Sequence, residues 1–270
     1  LVALSTSPKV RELFNYRFDE GSMKGHAFGN LFMAALEKMT GSFAEAVETA
    51  SEVLNVKGRV YPITLDNMKL VAKFANGQEI YGENELSRMT FPEGQRPFLT
   101  LDPYAELNPR AREAILAADM VVIAPGQLYR SLAPALIVSG LTRTLKEAKA
   151  KKVYVCNLMT KPDDTAGFTV MDFAEEIERF AGIELDYVLY NNHRPPKALI
   201  EKYAHDDEHL VEWDKTTLKS RHYQAIGKKF IADEAWENKN ASSDPLAAQR
   251  SLIRHDADRV ARELMRIYFA

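Results

Sequence analysis

The chain has 270 residues, 46% of them hydrophobic, enough for one large α/β domain or a domain with a small appendage. Against 38 Asp and Glu stand 35 Lys and Arg, a net charge of −3 that speaks against a nucleic-acid track or an anionic membrane surface as partner. One cysteine, Cys156, excludes an intramolecular disulfide and fits a cytoplasmic protein, and no stretch is long and apolar enough for membrane insertion.

Ser7-Pro8 predicts a capped helix start, followed by Val10, Leu13, Phe14 and Phe18 near helical spacing. The run Gly25-His26-Ala27-Phe28-Gly29-Asn30 opens onto a second helix, with Phe28, Leu31, Phe32, Ala35, Leu36 and Met39 on one stripe and Gly41 at its end. Two glycines and two hydrogen-bonding side chains at a helix start read as an anion cradle of backbone amides, with a plain helix start capped by Asn30 or His26 as the alternative. Ser42 and Glu45 predict a capping box for a third helix through Leu54.

Arg59 to Ile63 reads as a short strand. Leu70 to Phe74, Asn76-Gly77 and Gln78 to Gly82 read as a hairpin with a type I′ turn, and Pro97 to Leu101 as a further strand. Asn108-Pro109 caps a helix to Ala118, and Met120 to Ala124 is an apolar strand expected to be buried on both faces. A helical stretch to about residue 150, strand Val153 to Cys156, helix Val170 to Phe180 capped by Thr169, and strand Tyr187 to Tyr190 complete three strand-then-helix units. That alternation predicts an α/β, Rossmann-like, doubly wound and mostly parallel sheet with crossover helices and an inserted β-hairpin. Helix Pro196 to Tyr203, short strands at Leu210 to Trp213 and Lys229 to Ile231, a mobile polar loop over Glu237 to Pro245, and a closing helix from Asp256 follow.

Two strand ends carry candidate chemistry. Pro125, Gly126, Gln127, Tyr129, Arg130 and Ser131 leave the apolar strand at its carboxyl end, where open parallel sheets bind ligands; Arg130 supplies a charge able to grip a phosphate in two places. Asn157 and Thr160 follow the next strand and would face the same crevice if the strands are neighbours. Asp163-Asp164 reads as a solvated turn rather than a Mg²⁺ site, His205 and His209 as a solvated loop rather than a zinc pair, and Cys156 as core filler. No metal site and no catalytic residue is identified.

The order Tyr16-Arg17-Phe18, Gly25 to Leu31, Gly58-Arg59-Val60-Tyr61-Pro62, Pro125-Gly126, Asn157-Leu158-Met159-Thr160 and Ile253-Arg254-His255-Asp256 resembles the YvcK/CofD-like family, UPF0052, in its gluconeogenesis factor branch, over nearly the whole chain. The resemblance implies a single α/β domain over 1–270. It implies a cytoplasmic, non-catalytic regulator that binds a UDP-sugar such as UDP-N-acetylglucosamine and supports cell shape and envelope growth on gluconeogenic carbon sources. The related alternative is a Mg²⁺-dependent 2-phospho-L-lactate transferase of coenzyme F420 biosynthesis. By resemblance Tyr203 and Arg254 flank the sugar nucleotide, the ring on base or sugar and the guanidinium on the diphosphate. A homo-oligomer is left open. Three departures stand out. The usual Gly-Pro-Gly-Ser-Leu-Tyr-Thr-Ser becomes Ala124 to Ser131, and the usual Gln-Pro-Gly-Glu-Thr becomes Lys161 to Thr165. The family's leading Gly-rich strand-loop unit is not part of the sequence from Leu1 onward. The expectation is that the remaining cradle segments meet at one mouth.

Overall fold

The computed structural model describes residues 1–92, 94–233 and 253–270, so the polar stretch Glu237 to Pro245 lies outside the described residues. Two compact units are present, one of residues 1–65 and one of residues 66–233 with 253–270.

The 1–65 unit is helical. Helix α1 (Pro8–Asn15) starts under the Ser7 hydroxyl, which accepts from the Val10 amide. Helix α2 (Phe28–Thr40) ends at Gly41, and α3 (Phe43–Val53) starts under Ser42. Leu36, Ala46 and Ala50 form the seam between α2 and α3, and Phe14 of α1 meets Phe28 and Phe32 edge-on. Arg59 to Ile63 forms no strand; Pro62 has no amide to give to a ladder.

The larger unit holds two sheets. Strands β1 (Lys69–Lys73), β2 (Glu79–Tyr81) and β3 (Phe98–Asp102) are antiparallel in the order β2-β1-β3. The hairpin forms, but its turn differs from expectation. The Gly77 amide donates to the Phe74 carbonyl at 3.0 Å, and Gly77 has positive φ while Asn76 does not. That is a type I turn closed by a bulge glycine, in place of the mirror-image turn.

After the short helix α4 (Glu83–Leu86) and α5 (Pro109–Leu116) come the parallel strands β4 (Met120–Ile123), β5 (Lys151–Val155), β6 (Tyr187–Asn191) and β7 (Gln224–Lys228), in that spatial order. Crossovers run through α6 (Ala133–Leu136) and α7 (Leu141–Glu147), then α8 (Val170–Ala181), then α9 (Lys197–Ala204) and α10 (Lys215–Lys219). Each crossover returns the chain to the end of the sheet where the previous strand began, as parallel pairing requires. Thr169 and Asp172 form a reciprocal capping box on α8. The closing helix α11 (Ala257–Phe269), capped by Asp256, packs Ile267, Val260 and Leu264 against Val153, Val155 and Leu189 on one sheet face.

Three local expectations give way here. β4 is the outermost strand on its side, pairing only with β5 among the described residues, so Val122 is 39% exposed instead of buried. The segment Leu210 to Trp213 makes two isolated bridges, Met159 with Leu210 and Thr169 with Glu212, rather than a strand. The fourth parallel strand is Gln224–Lys228, not Lys229 to Ile231. Its Gly227 lies opposite Tyr190, and a Cβ at Gly227 would come within 2.4 Å of the Tyr190 ring. A glycine in mid-strand hides the alternation by which strands are read.

Candidate functional site

Parallel neighbours β4 and β5 end side by side, Ile123 opposite Tyr154, so the loops after them share one rim of the sheet. Asn157 ties them together. Its amide nitrogen donates to the Gly126 carbonyl at 2.8 Å, and its amide oxygen accepts from the Tyr154 hydroxyl at 3.2 Å. On the other side of this rim, the His255 Nε2–H donates to the Cys156 carbonyl at 3.1 Å, and burial holds the imidazole below its ordinary pKa. The Ile253 amide donates to the Tyr203 hydroxyl at 3.2 Å, and the Tyr203 ring packs on the cluster of Leu158, Met159, Leu210, Ile231 and Ile253. The residues singled out at 126, 157, 203 and 254 are thereby brought to one strand end. Arg254 is fixed between these two bonds, and its carbonyl accepts from the Ala232 amide at 3.0 Å.

Two other predicted contacts, Tyr129 and Thr160, are engaged by the framework. Tyr129 is fully enclosed, and its hydroxyl donates to Glu176 at 2.9 Å; burial and that carboxylate push the phenol well up. Glu176, 1% exposed, also receives Arg179 at 2.5 Å and Arg96 at 3.3 Å, so Tyr129 anchors the wide π turn Leu128–Leu132 to α8. Thr160 is buried as well. Its amide donates to the His209 carbonyl at 2.7 Å and its hydroxyl accepts from the His209 amide at 3.2 Å, which pins the loop after β5 to the segment at 209–210. Pro125, Gln127 and Ser131 are exposed on the rim, and Gly126 is half-buried against Leu132, 3.1 Å from where a Cβ would stand.

Arg130 is a cation of this rim. Its Nη2 lies 3.5 Å from Asp163 and 3.5 Å from Asp164, so the two loops that depart from the usual family pattern meet each other. The sequence alone pointed to Arg130 but left its carboxylate partners in a solvated turn. Burial pushes the Asp164 carboxyl up, against the pull of Arg130 and the Thr165 hydroxyl. A guanidinium facing both carboxylates occupies the position a divalent cation would need, so the pair does not fit Mg²⁺. No group of three or more His, Cys, Asp or Glu among the described residues is placed to hold a metal. Cys156 is fully buried and its thiol is pushed up to about 12, as expected of a core residue. His205 and His209 are exposed beside Asp206 and Asp207.

Gly25, His26, Gly29 and Asn30 belong to the 1–65 unit. The segment folds back on Tyr16 to Phe18 through a bridge between Arg17 and Ala27. The amides of Gly25, His26, Phe28 and Asn30 donate to the carbonyls of Phe18, Met23, Tyr16 and Ala27, at 2.7 to 3.1 Å. Neither Asn30 nor His26 caps α2; Ala27 occupies the cap position without a side-chain bond, and the His26 ring meets the Met23 carbonyl. Gly25 has φ of +84°, a backbone that suits glycine, and a Cβ on Gly29 would lie 2.8 Å from the Phe14 carbonyl oxygen. Turn geometry and helix packing account for both glycines, and most donors of the expected cradle are already engaged.

Two hollows of about 670 and 610 Å³ lie away from this rim, one along the outer face of α11 and one over the β7 edge between Tyr190, Trp213 and Lys219. The rim has the chemistry and they have the volume; converging loops weigh more than volume alone. No helix among the described residues is long and apolar enough to cross a membrane.

The sequence model of the family described as 2-phospho-L-lactate transferase CofD matches residues 1–231. A Thermotoga maritima relative is 38% identical over 268 residues, covering 99% of this chain and 81% of that protein. The gluconeogenesis factor of Bacillus subtilis is 36% identical over 268 residues, covering 97% of this chain and 78% of its own. A crystal structure of a UPF0052 member from Bacillus halodurans matches with a TM-score of 0.84 at 30% identity, over 98% of this chain and 80% of that one. With the strand order, the rim and these matches in agreement, the chain belongs to the CofD/UPF0052 family, alongside proteins named gluconeogenesis factor.

Proposed function

We propose that the rim at the ends of β4 and β5 binds a sugar nucleotide of the UDP-N-acetylglucosamine type, and that the chain acts as a regulator in the manner of a gluconeogenesis factor, without turnover. In this reading it supports cell shape and envelope growth when carbon enters through gluconeogenesis. One observation carries it. Gly126 and His255 are hydrogen-bonded to the chain leaving β5, and Tyr203, bonded to the Ile253 amide, packs with Ile253 on Leu158 and Met159 of that same chain. The Tyr203 ring offers a face for base or sugar, and Arg130 and Arg254 supply charge for a diphosphate. No nucleophile with an adjacent base accompanies them among the described residues, which favours recognition over chemistry.

Calorimetric titration of the protein with UDP-N-acetylglucosamine, paired with melting curves, tests the reading. Saturable heat and a raised melting temperature are expected, both weakened in Arg254→Ala and Tyr203→Ala; no heat and no shift would overturn it. The family description also names a phospholactyl transfer. Mg²⁺-dependent turnover with a deazaflavin acceptor would replace the regulatory reading by that one.

A further inference from the structure

Arg130 is buried but loosely matched. Its side chain is 9% exposed, both carboxylates stand at 3.5 Å, and its Nε is buried with no hydrogen-bond partner. A guanidinium and a carboxylate at full strength form two parallel bonds of about 2.8 Å. The partners are also unequal: the Asp163 side chain is 43% exposed and that of Asp164 is 4% exposed, with the Thr165 hydroxyl 3.1 Å from its second oxygen. The turn that carries them is held by its backbone. The Lys161 amide donates to the Thr165 hydroxyl at 2.9 Å, the Thr165 amide to the Lys161 carbonyl at 3.0 Å, and the Phe91 amide to the Asp163 carbonyl at 2.7 Å. The movable part is therefore the Asp163 side chain, on the solvent side.

We propose that Arg130 is an anion subsite kept closed by the chain's own carboxylates, and that a phosphate of an incoming ligand takes the guanidinium by displacing Asp163. The sugar-nucleotide reading enters only in saying which ligand brings that phosphate. A phosphate presents at least two non-bridging oxygens, enough to span Nη2 and Nε once Asp163 has moved aside, which the two aspartates do not do. With Asp163 and Asp164 both ionised, the cluster carries one net negative charge and repels the anion it is built to hold. Four groups act on the Asp164 carboxyl besides burial: Arg130, the Thr165 hydroxyl and Lys161 pull its pKa down, and Asp163 pushes it up. Lys161 is itself paired with Glu208. An arriving phosphate takes much of Arg130 away from Asp164 and adds a like charge beside it, so the carboxylate takes a proton from solvent as the anion binds. Affinity rises as pH falls toward the carboxyl's own titration, and the two aspartates act as a brake that acid releases.

Calorimetry of the full chain with inorganic pyrophosphate, and separately with UDP-N-acetylglucosamine, tests this in buffers of different ionisation enthalpy at mildly acidic and mildly alkaline pH. D163N and D164N are each expected to tighten pyrophosphate binding about ten-fold, and R130Q to abolish it. Proton uptake is expected in the wild type and not in D164N. If R130Q does not fold, R130K keeps the charge, loses the fork and is expected to bind about ten-fold more weakly than the wild type. Unchanged affinity in both D163N and D164N, binding without proton uptake, or wild-type affinity in a folded R130Q or in R130K would each overturn the proposal. Pyrophosphate binding without UDP-N-acetylglucosamine binding keeps the subsite and removes the sugar-nucleotide reading. Sugar-nucleotide binding indifferent to R130Q and D163N does the reverse, and silence toward both ligands removes both.

Discussion

Two glycine-bearing loops lead into helical turns in this molecule, at 25–30 and at 124–131, and they spend their polar groups differently. In the first, the amides of Gly25, His26, Phe28 and Asn30 are consumed by neighbouring carbonyls, and Gly29 exists to let α2 approach Phe14. In the second, the turn is anchored from beneath by Tyr129 on Glu176, while the Arg130 guanidinium remains only partly matched. A glycine-rich helix start is thus no sufficient sign of a binding loop. Capacity to bind resides where a held framework leaves donors to spare.

That contrast can be broken most forcefully at Glu176. Glu176→Ala removes a buried carboxylate that serves one hydroxyl and two guanidiniums, so urea unfolding should show a loss of about 3 kcal/mol. Pyrophosphate affinity should fall with it as the turn after β4 loosens, and a stability loss below about 1 kcal/mol would mean that the anchor is not at Glu176. Next, Gly29→Ala forces a methyl against a backbone oxygen that cannot swing aside, and a loss of about 2 kcal/mol is expected. Gly126→Ala meets only the Leu132 side chain, so a change within about 1 kcal/mol is expected; equal losses at the two glycines would erase the distinction drawn between the loops. The smallest effect is a slope. His255 is buried with a lowered pKa, so between its folded value and the ordinary 6.5 the unfolded chain binds more protons. Its contribution is fully present above 6.5 and is lost as pH falls through the folded value. His255→Asn should flatten that part of the stability curve, measured as urea midpoints across mildly acidic pH.

Much of the framework could be read from residue order. Caps at Ser7, Ser42, Asn108, Thr169 and Asp256 act locally, through a side chain and an amide two or three residues on, so a linear reading finds them. The parallel sheet followed from strand and helix alternation, and the neighbouring strand ends placed Asn157 against Gly126 as expected. What escaped depends on contacts far apart in sequence. β7 was displaced by five residues because Gly227 gives way to Tyr190, 37 positions earlier by number. Tyr129 and Thr160 have the chemistry of ligand contacts, and only packing shows that Glu176 and His209 already claim them. The pairing of Arg130 with Asp163 and Asp164 was equally invisible: each loop looked like a separate departure until the fold set them face to face.

The closeness of Gly227 to the Tyr190 ring has an evolutionary side. Border strands ordinarily accept substitution freely, since one flank meets only solvent. At position 227 a Cβ would stand 2.4 Å from the tip of the Tyr190 ring, so drift there requires that ring to shift or position 190 to shrink. The two sites are expected to change together, and a library randomised at 227 should return mainly glycine unless 190 is varied with it.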